Sequence, residues 1–430
     1  MRFLLAILIS GAALAQSQPA VKPKLIYVVI LSRHGVRSPT ATNEALSQYA
    51  ADPWPKWEVA PGELTEHGAK LMGILGAWYR GWLAQDGLLP AGGCEEANRV
   101  HVRADVDQRT HASGRAIAEG MFPGCGVVTH TVADKTDPLF HPVAAGLARG
   151  DGALASAAVS GRIGGHSADL PPTLQHPFEV LREVLFGCPI DAPCPAERQA
   201  GKQRLLDLPA SVGGTEDGLA DLRGPVRTSS TMAENLLLEY TNGMTGKDLG
   251  WGRLDKSRLN EVMAIHTAYA DLARRTPYLA RVQGSNLLTH MLRSMEQAVS
   301  GKGAPGALGK PGDRLLLLVG HDTNISHVSS LLNLSWLLRG YQRDDTPPGG
   351  SLVFRLWNLG GDRHAVEIVY VAQTLDQMRD LAPLGLDSGP ATAGVFVPGC
   401  STADARSNCD WESFRKIVSN GVDLKYVGTP

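Results

Sequence analysis

Leu25-Ile26-Tyr27-Val28-Val29-Ile30-Leu31, followed at once by Ser32-Arg33-His34-Gly35-Val36-Arg37-Ser38-Pro39, is the stretch on which the reading of the fold turns. An apolar run this short, bounded by polar residues, reads as a strand buried on both faces of a parallel sheet. Leu315 to Val319 (LLLLV) repeats the pattern and stops at Gly320-His321-Asp322-Thr323-Asn324. A weaker strand, Arg99 to Val102, precedes Asp105-Val106-Asp107-Gln108-Arg109-Thr110. Helical spacing of Ile325, Val328, Leu331 and Leu332 follows the second run, and a helix from near Thr110 ends at Gly120 and Pro123. Ser351 to Trp357 and Ala365 to Val371 flank Asn358-Leu359-Gly360-Gly361-Asp362 and read as a β-hairpin added to the sheet. The βα order predicts an α/β fold with a mostly parallel central sheet flanked by helices.

Away from these units, Leu71, Leu75, Trp78 and Trp82 form one helical stripe, read as core packing of a cap rather than a cofactor site. The small-residue stretch from Ala144 to Gly165 and the glycine-rich stretch from Gly301 to Gly312 read as exposed connections. A chain of 430 residues, 43% hydrophobic, can bury one large core or two moderate ones. Its formal charge of −2 and lack of a sustained basic tract argue against nucleic acid and anionic membrane surfaces as partners. A local cationic pocket can still hide within that near-neutral total.

Met1-Arg2, the apolar run from Phe3 to Ile9, and Ala13-Leu14-Ala15 before Gln16 have the layout of a secretory signal cut after Ala15. The apolar run reaches only about half of the ~20 residues a membrane-spanning helix requires, so no membrane association is expected after cleavage. Periplasmic or secreted localisation follows, and the six cysteines fit an oxidising compartment. Cys188 with Cys194 and Cys400 with Cys409 suit short local loops, which leaves Cys94 with Cys125, although spacing alone permits about 15 connectivities. The Cys94–Cys125 link would contribute about 3 kcal/mol in a loop-entropy account.

In open α/β sheets ligands bind beyond the carboxyl ends of the strands, where Arg33, His34 and Arg37 stand. The arginine fork matches phosphate oxygens and keeps its charge at any working pH. Two guanidinium groups flanking one imidazole prepare an anion site and disfavour imidazolium by like-charge repulsion, so the ring stays neutral and nucleophilic. Gly35 lets the backbone approach the ring, and a carbonyl there could accept a hydrogen bond from Nδ1–H and leave Nε2 free to attack. If the two apolar strands are neighbours, His321 joins the site and Asp322 lies near the bridging ester oxygen. A carboxylic acid there can protonate the departing alkoxide and later activate the water that cleaves a phosphohistidine. Arg109 is the natural third cation. Asp322 also suits the N-cap of a helix beginning near Thr323, and the two roles are compatible. His67, His130, His176, His266 and His290 lack ligand spacing and receive no metal role.

These segments resemble the histidine acid phosphatase family, branch 2 of the histidine phosphatase superfamily, marked by RHGxRxP near the N-terminus and HD near the C-terminus. The fixed letters of the first motif, each met by chance at about 1 in 20, give about 1 in 3 million per starting point. Similarity to bacterial periplasmic phytases and acid phosphatases extends over Ala104 to Thr110, Asp137 to Pro142, Gly250 to Arg253, Thr346 to Phe354 and Gln373 to Asp380. The resemblance implies that Arg33, Arg37, Arg109 and His321 hold the phosphate, His34 is the nucleophile and Asp322 the proton donor. It further implies that Thr40, Asp105 and Thr323 line the pocket and that Glu234 faces the substrate from the cap. It supports the three disulfide pairings named above, and it implies an α/β domain (residues 20–45, 98–150 and 256–430) with a smaller, mainly helical cap (46–97 and 151–255).

Two departures bear on substrate. Ala41 stands where the phytase pattern has lysine and His111 where it has arginine, so the entrance loses charge that a polyphosphorylated substrate would use. The expectation is a monomeric acid phosphomonoesterase for phytate or sugar phosphates, working through a phosphohistidine without metal or organic cofactor. A phosphotransferase or phosphomutase using the same intermediate, and a non-catalytic phosphate-ester binding protein, are the alternatives.

Overall fold

The computed structural model describes residues 22–164, 172–404 and 406–430; the expected signal segment lies outside the described residues. A seven-strand path, with one further strand paired beside it, forms the central sheet. Along the chain the strands are β1 (Lys24–Arg33), β2 (Val100–Ala104), β3 (Thr129–His130), the separate hairpin β4 (Ser211–Gly214) and β5 (Ala220–Arg223), then β6 (Leu315–Gly320), β7 (Ser351–Gly360), β8 (Arg363–Ala372), β9 (Ala391–Gly394) and β10 (Cys409–Asp410). The sheet order is β10-β8-β7-β1-β6-β2-β3, with β9 also on β8. β1, β6, β2 and β3 run parallel. The expected β7–β8 hairpin adds antiparallel to β1, and β9 and β10 extend it beyond what periodicity indicated.

Alternation along β1 sends Tyr27, Val29 and Leu31 to one face and Leu25, Val28 and Ile30 to the other. Each fully buried aliphatic side chain stabilises the fold by about 1.5–3 kcal/mol relative to exposure. On the Val28 face lie the helices Glu66–Gln85 and Gln108–Met121, through Met72, Leu75, Tyr79, Ile117 and Met121. The opposite face packs on Pro277–Ser300, Asp322–Leu331 and Trp411–Gly421 through Leu288, Ile325 and Phe414. That core continues into the helices Pro172–Phe186, Pro225–Thr241 and Lys256–Ala273, which pack on one another.

Two local expectations are corrected. The stripe expected in a cap packs on the sheet instead, Leu75 and Trp78 meeting the strand residues Val28 and Ile30 in one cluster, because its apolar face is wide enough to cover strands. Helix Lys256–Ala273 packs against the helix Pro225–Thr241. The presumed connection from Ala144 to Gly165 contains the helix Gly152–Ile163, capped by Asp151 and closed by left-handed Gly164. Its alanines favour helix, and Ala155 and Val159 find a partner in Leu279. Disulfides join Cys94–Cys125, Cys188–Cys194 and Cys400–Cys409.

Glycines set the closest approaches around the first motif. A Cβ on Gly68 would sit 2.1 Å from the Val36 carbonyl oxygen, and one on Gly76 2.3 Å from that of Ile117. The Glu66–Gln85 helix therefore presses directly on the loop that carries His34 and Arg37. Gly68→Ala should shift that loop and lower kcat/KM for a phosphate ester by on the order of 10²-fold, the usual effect of ~1 Å misplacement; steady-state kinetics beside a thermal melt check this.

Candidate active site

Parallel pairing of β1 with β6 places Arg33 in register with Gly320, and the ladder runs on through the His34 N–H, which donates to Gly320 O at 3.0 Å. On the other side of β6, Ala104 of β2 is in register with Val319, and the Asp105 N–H donates to Val319 O at 3.0 Å. Three polar segments far apart in sequence thus leave the sheet at one edge. They wall a cleft of about 220 Å³ lined by His34, Arg37, Arg109, His321, Asp322 and Thr323, with Glu234 and Arg274 from the helical side. A larger cleft of about 530 Å³ beside Phe178 and Cys194 gathers no comparable charge set.

The His34 ring is buried, and Nδ1 lies 2.8 Å from the Gly35 carbonyl oxygen. A carbonyl only accepts, so Nδ1 carries the proton and Nε2 keeps its lone pair. Burial first, and then Arg33, Arg37, His321 and Arg109, hold this imidazole well below its ordinary value. Desolvation thus outweighs the like-charge repulsion from which neutrality was argued.

Arg33 donates from Nη1 to Thr346 O at 2.7 Å and from Nη2 to Glu234 Oε1. Arg37 reaches the same Glu234 oxygen at 3.2 Å, and Arg109 donates to Asp107 Oδ2 at 2.6 Å. The Nε groups of all three arginines are buried without a hydrogen-bond partner among the described residues. Buried donors of this kind suit an anion carrying several acceptor oxygens. Burial opposes ionisation of Glu234, but Arg37 and Arg33 outweigh it and hold the carboxyl at about 2.

His321 is the N-cap residue of the Asp322–Leu331 helix, so Asp322 is its first helical residue rather than the cap. The Asp322 carboxylate accepts Thr323 N–H at 2.9 Å on Oδ1 and pairs with Arg274 on Oδ2. Burial opposes its ionisation, yet Arg274, Arg33 and His266 keep it well below the ordinary carboxylate range. Asp105, expected to line the pocket, is fully buried behind it. Its Oδ2 lies 2.7 Å from both His321 Nε2 and His141 Nε2. Burial opposes, but these two hydrogen bonds hold its carboxyl low. Asp105, His141 and His321 place ligand-type atoms within 4.8 Å of one another, a spacing a cation could use; here the atoms hydrogen-bond among themselves. Thr40 is exposed, outside the wall of the cleft, and Ala41 packs on the core.

Sequence reasoning missed His141, Arg274 and His266. His141 lies in the Asp137–Pro142 segment, which the Arg103–Asp137 ion pair anchors at 2.9 Å. Arg274 is the C-cap residue of the helix Lys256–Ala273 and had no motif around it. His266, set aside for want of ligand spacing, is buried beside Ser230 at 3.1 Å.

A β-sheet edge bearing a neutral imidazole, three arginines and a carboxylate is the arrangement of a phosphoryl-handling α/β protein. The chain belongs to the histidine phosphatase superfamily (branch 2), whose pattern matches residues 24–169 and 240–371. It is 36% identical to phytase AppA of Escherichia coli K12 over 413 residues, 95% of this chain and 94% of that one. Identity to the glucose-1-phosphatase of Salmonella typhimurium LT2 is 28% over 420 residues, covering 96% of each chain. Hafnia alvei phytase, solved in complex with myo-inositol hexakis sulphate, superposes with a TM-score of 0.83 at 33% identity, over 94% of this chain and 99% of that one.

Because Glu234 occupies guanidinium donors that an anion would use, Glu234→Gln should bind inorganic phosphate roughly tenfold more tightly, about 1.4 kcal/mol, by titration calorimetry.

Proposed function

We propose that the protein hydrolyses phosphomonoesters through a covalent phosphohistidine on His34, with Asp322 as proton donor. The carrying observation is the Nδ1 contact of His34 with Gly35 O, which leaves Nε2 as a lone-pair nucleophile in a cleft that Asp322 also lines. Arg33, Arg37 and Arg109 with His321 neutralise the nonbridging oxygens, and in-line attack then needs little beyond positioning and charge. Asp322 gives its proton to the bridging oxygen as the P–O bond breaks, then takes one from the water that cleaves the N–P bond. Thr323 lies at the N-terminal turn of the Asp322–Leu331 helix, an end that favours anions.

The relatives are named phytase and glucose-1-phosphatase, and the substrate class proposed here is the phosphate ester of a polyol or sugar. Ala41 and His111 add no fixed cation, so the entrance favours a broad range of monoesters over a strict preference for the hexakisphosphate. The disulfides fit an oxidising compartment, and among the described residues no helix is long and apolar enough to cross a membrane. We place the enzyme in the periplasm or outside the cell, acting as a monomer.

His34→Ala should abolish the burst of covalent phosphate in rapid-quench experiments. Asp322→Asn should slow alkyl esters by about 10²–10⁴-fold and esters of acidic phenols much less; equal losses for both ester types count against its role as the acid. Activity should peak below neutrality in a kcat/KM profile from pH 3 to 9.

A further inference from the structure

Arg274, at the end of the Lys256–Ala273 helix, donates from Nη1 to Asp322 Oδ2, and its side chain is only 17% exposed. Several other charged groups face this carboxylate. Arg33 and Arg37 approach from β1 and the loop after it, and Glu234 and His266 from the two cap helices. His327 lies on the same helix as Asp322, and Asp345 in the loop before β7. A donor must carry a proton when the bridging oxygen leaves, but a carboxylate tied to a guanidinium resists taking one from mildly acidic water. A phosphate monoester itself retains one P–OH proton below its second ionisation near ~6.

We infer that Arg274 is a positioning residue for the proton donor: it pairs with Asp322 so that the proton for the departing alcohol arrives on the phosphoryl group of a monoanionic ester. This rests on the phosphohistidine reading above. The phosphoryl O–H proton passes to Asp322 as the ester settles among the arginines. His34 Nε2 then forms its bond to phosphorus, the P–O(ester) bond breaks, and the ester oxygen takes that proton and leaves as the alcohol. Asp322 is again a carboxylate paired with Arg274, ready to deprotonate the hydrolytic water. One proton enters with the ester and leaves with the alcohol, and the total charge is unchanged.

The pH profile carries the test. Asp322 held low by Arg274 sets the acid limb of kcat/KM, whereas the second ionisation of the ester sets the alkaline limb. Arg274→Gln removes the cation, Asp322 protonates at higher pH, and the acid limb moves up by about one unit or more while the alkaline limb stays. Arg274→Lys keeps the charge and returns the acid limb toward wild type. Two esters that differ in their second phosphoryl ionisation should shift the alkaline limb of the wild-type enzyme accordingly. A uniform loss of rate with the acid limb unmoved in Arg274→Gln overturns the inference, as does an alkaline limb indifferent to the ester. Trapped phosphohistidine in the wild type, absent from His34→Ala, tests the underlying reading separately. If it forms while the limbs fail to move, only the role of Arg274 falls; if it does not form, both fall.

Discussion

Everything at the site depends on the parallel pairing of β1 with β6. Side chains alternate with a period of two along a strand, so a register slip of one residue would turn both apolar runs inside out. The pairing that buries Val28 to Leu31 against Leu315 to Leu318 also sets Arg33 opposite Gly320. Aliphatic burial on both faces disfavours any slip of this register. The catalytic groups ride on it, directly past the carboxyl ends of the two strands. β2 repeats the arrangement across β6 and supplies Asp105 and, one helical turn on, Arg109.

Charge balance is the second constraint. The guanidinium groups at the cleft each face a carboxylate: Arg33 and Arg37 share Glu234, Arg109 takes Asp107, and Arg274 takes Asp322. Buried ion pairs of this sort add little net stability, because desolvation offsets most of the Coulomb gain. Their value is positional, since they hold donors at fixed points around a small cleft without leaving an uncompensated charge. Burial acts on His34 in the opposite direction, keeping it neutral, so one low-dielectric pocket sustains charged arginines and an uncharged nucleophile together.

Much of this was legible because local sequence and tertiary environment agree. LIYVVIL and LLLLV are apolar at every position and too short for a core helix, a pattern that suits a strand covered on both faces, and each stops at a polar motif at the end of its strand. Helix assignments failed where periodicity alone had to choose a partner. The Leu75 and Trp78 stripe is equally suited to a cap or to a sheet, and only the fold shows it clustered with Val28 and Ile30; the glycines at 68 and 76 let the helix come close to the loop after β1 and to the helix Gln108–Met121. Thr40 and Asp105 show the same limit at the site: their places in the motifs put them near the phosphate, but not whether they face it. The Arg99 to Val102 strand was found, displaced by a residue or two, because a half-buried strand has weaker patterning.

By itself the sequence determined the buried strands, the motifs that end them and the chemistry those motifs can perform, since each follows from residue type and spacing within about ten positions. Only the tertiary structure decided that Arg274 meets Asp322, that His141 shares Asp105 with His321, and that His266 comes close. Those contacts join helix ends and loops whose approach is set by the packing of whole layers, and no local pattern along the chain encodes that distance.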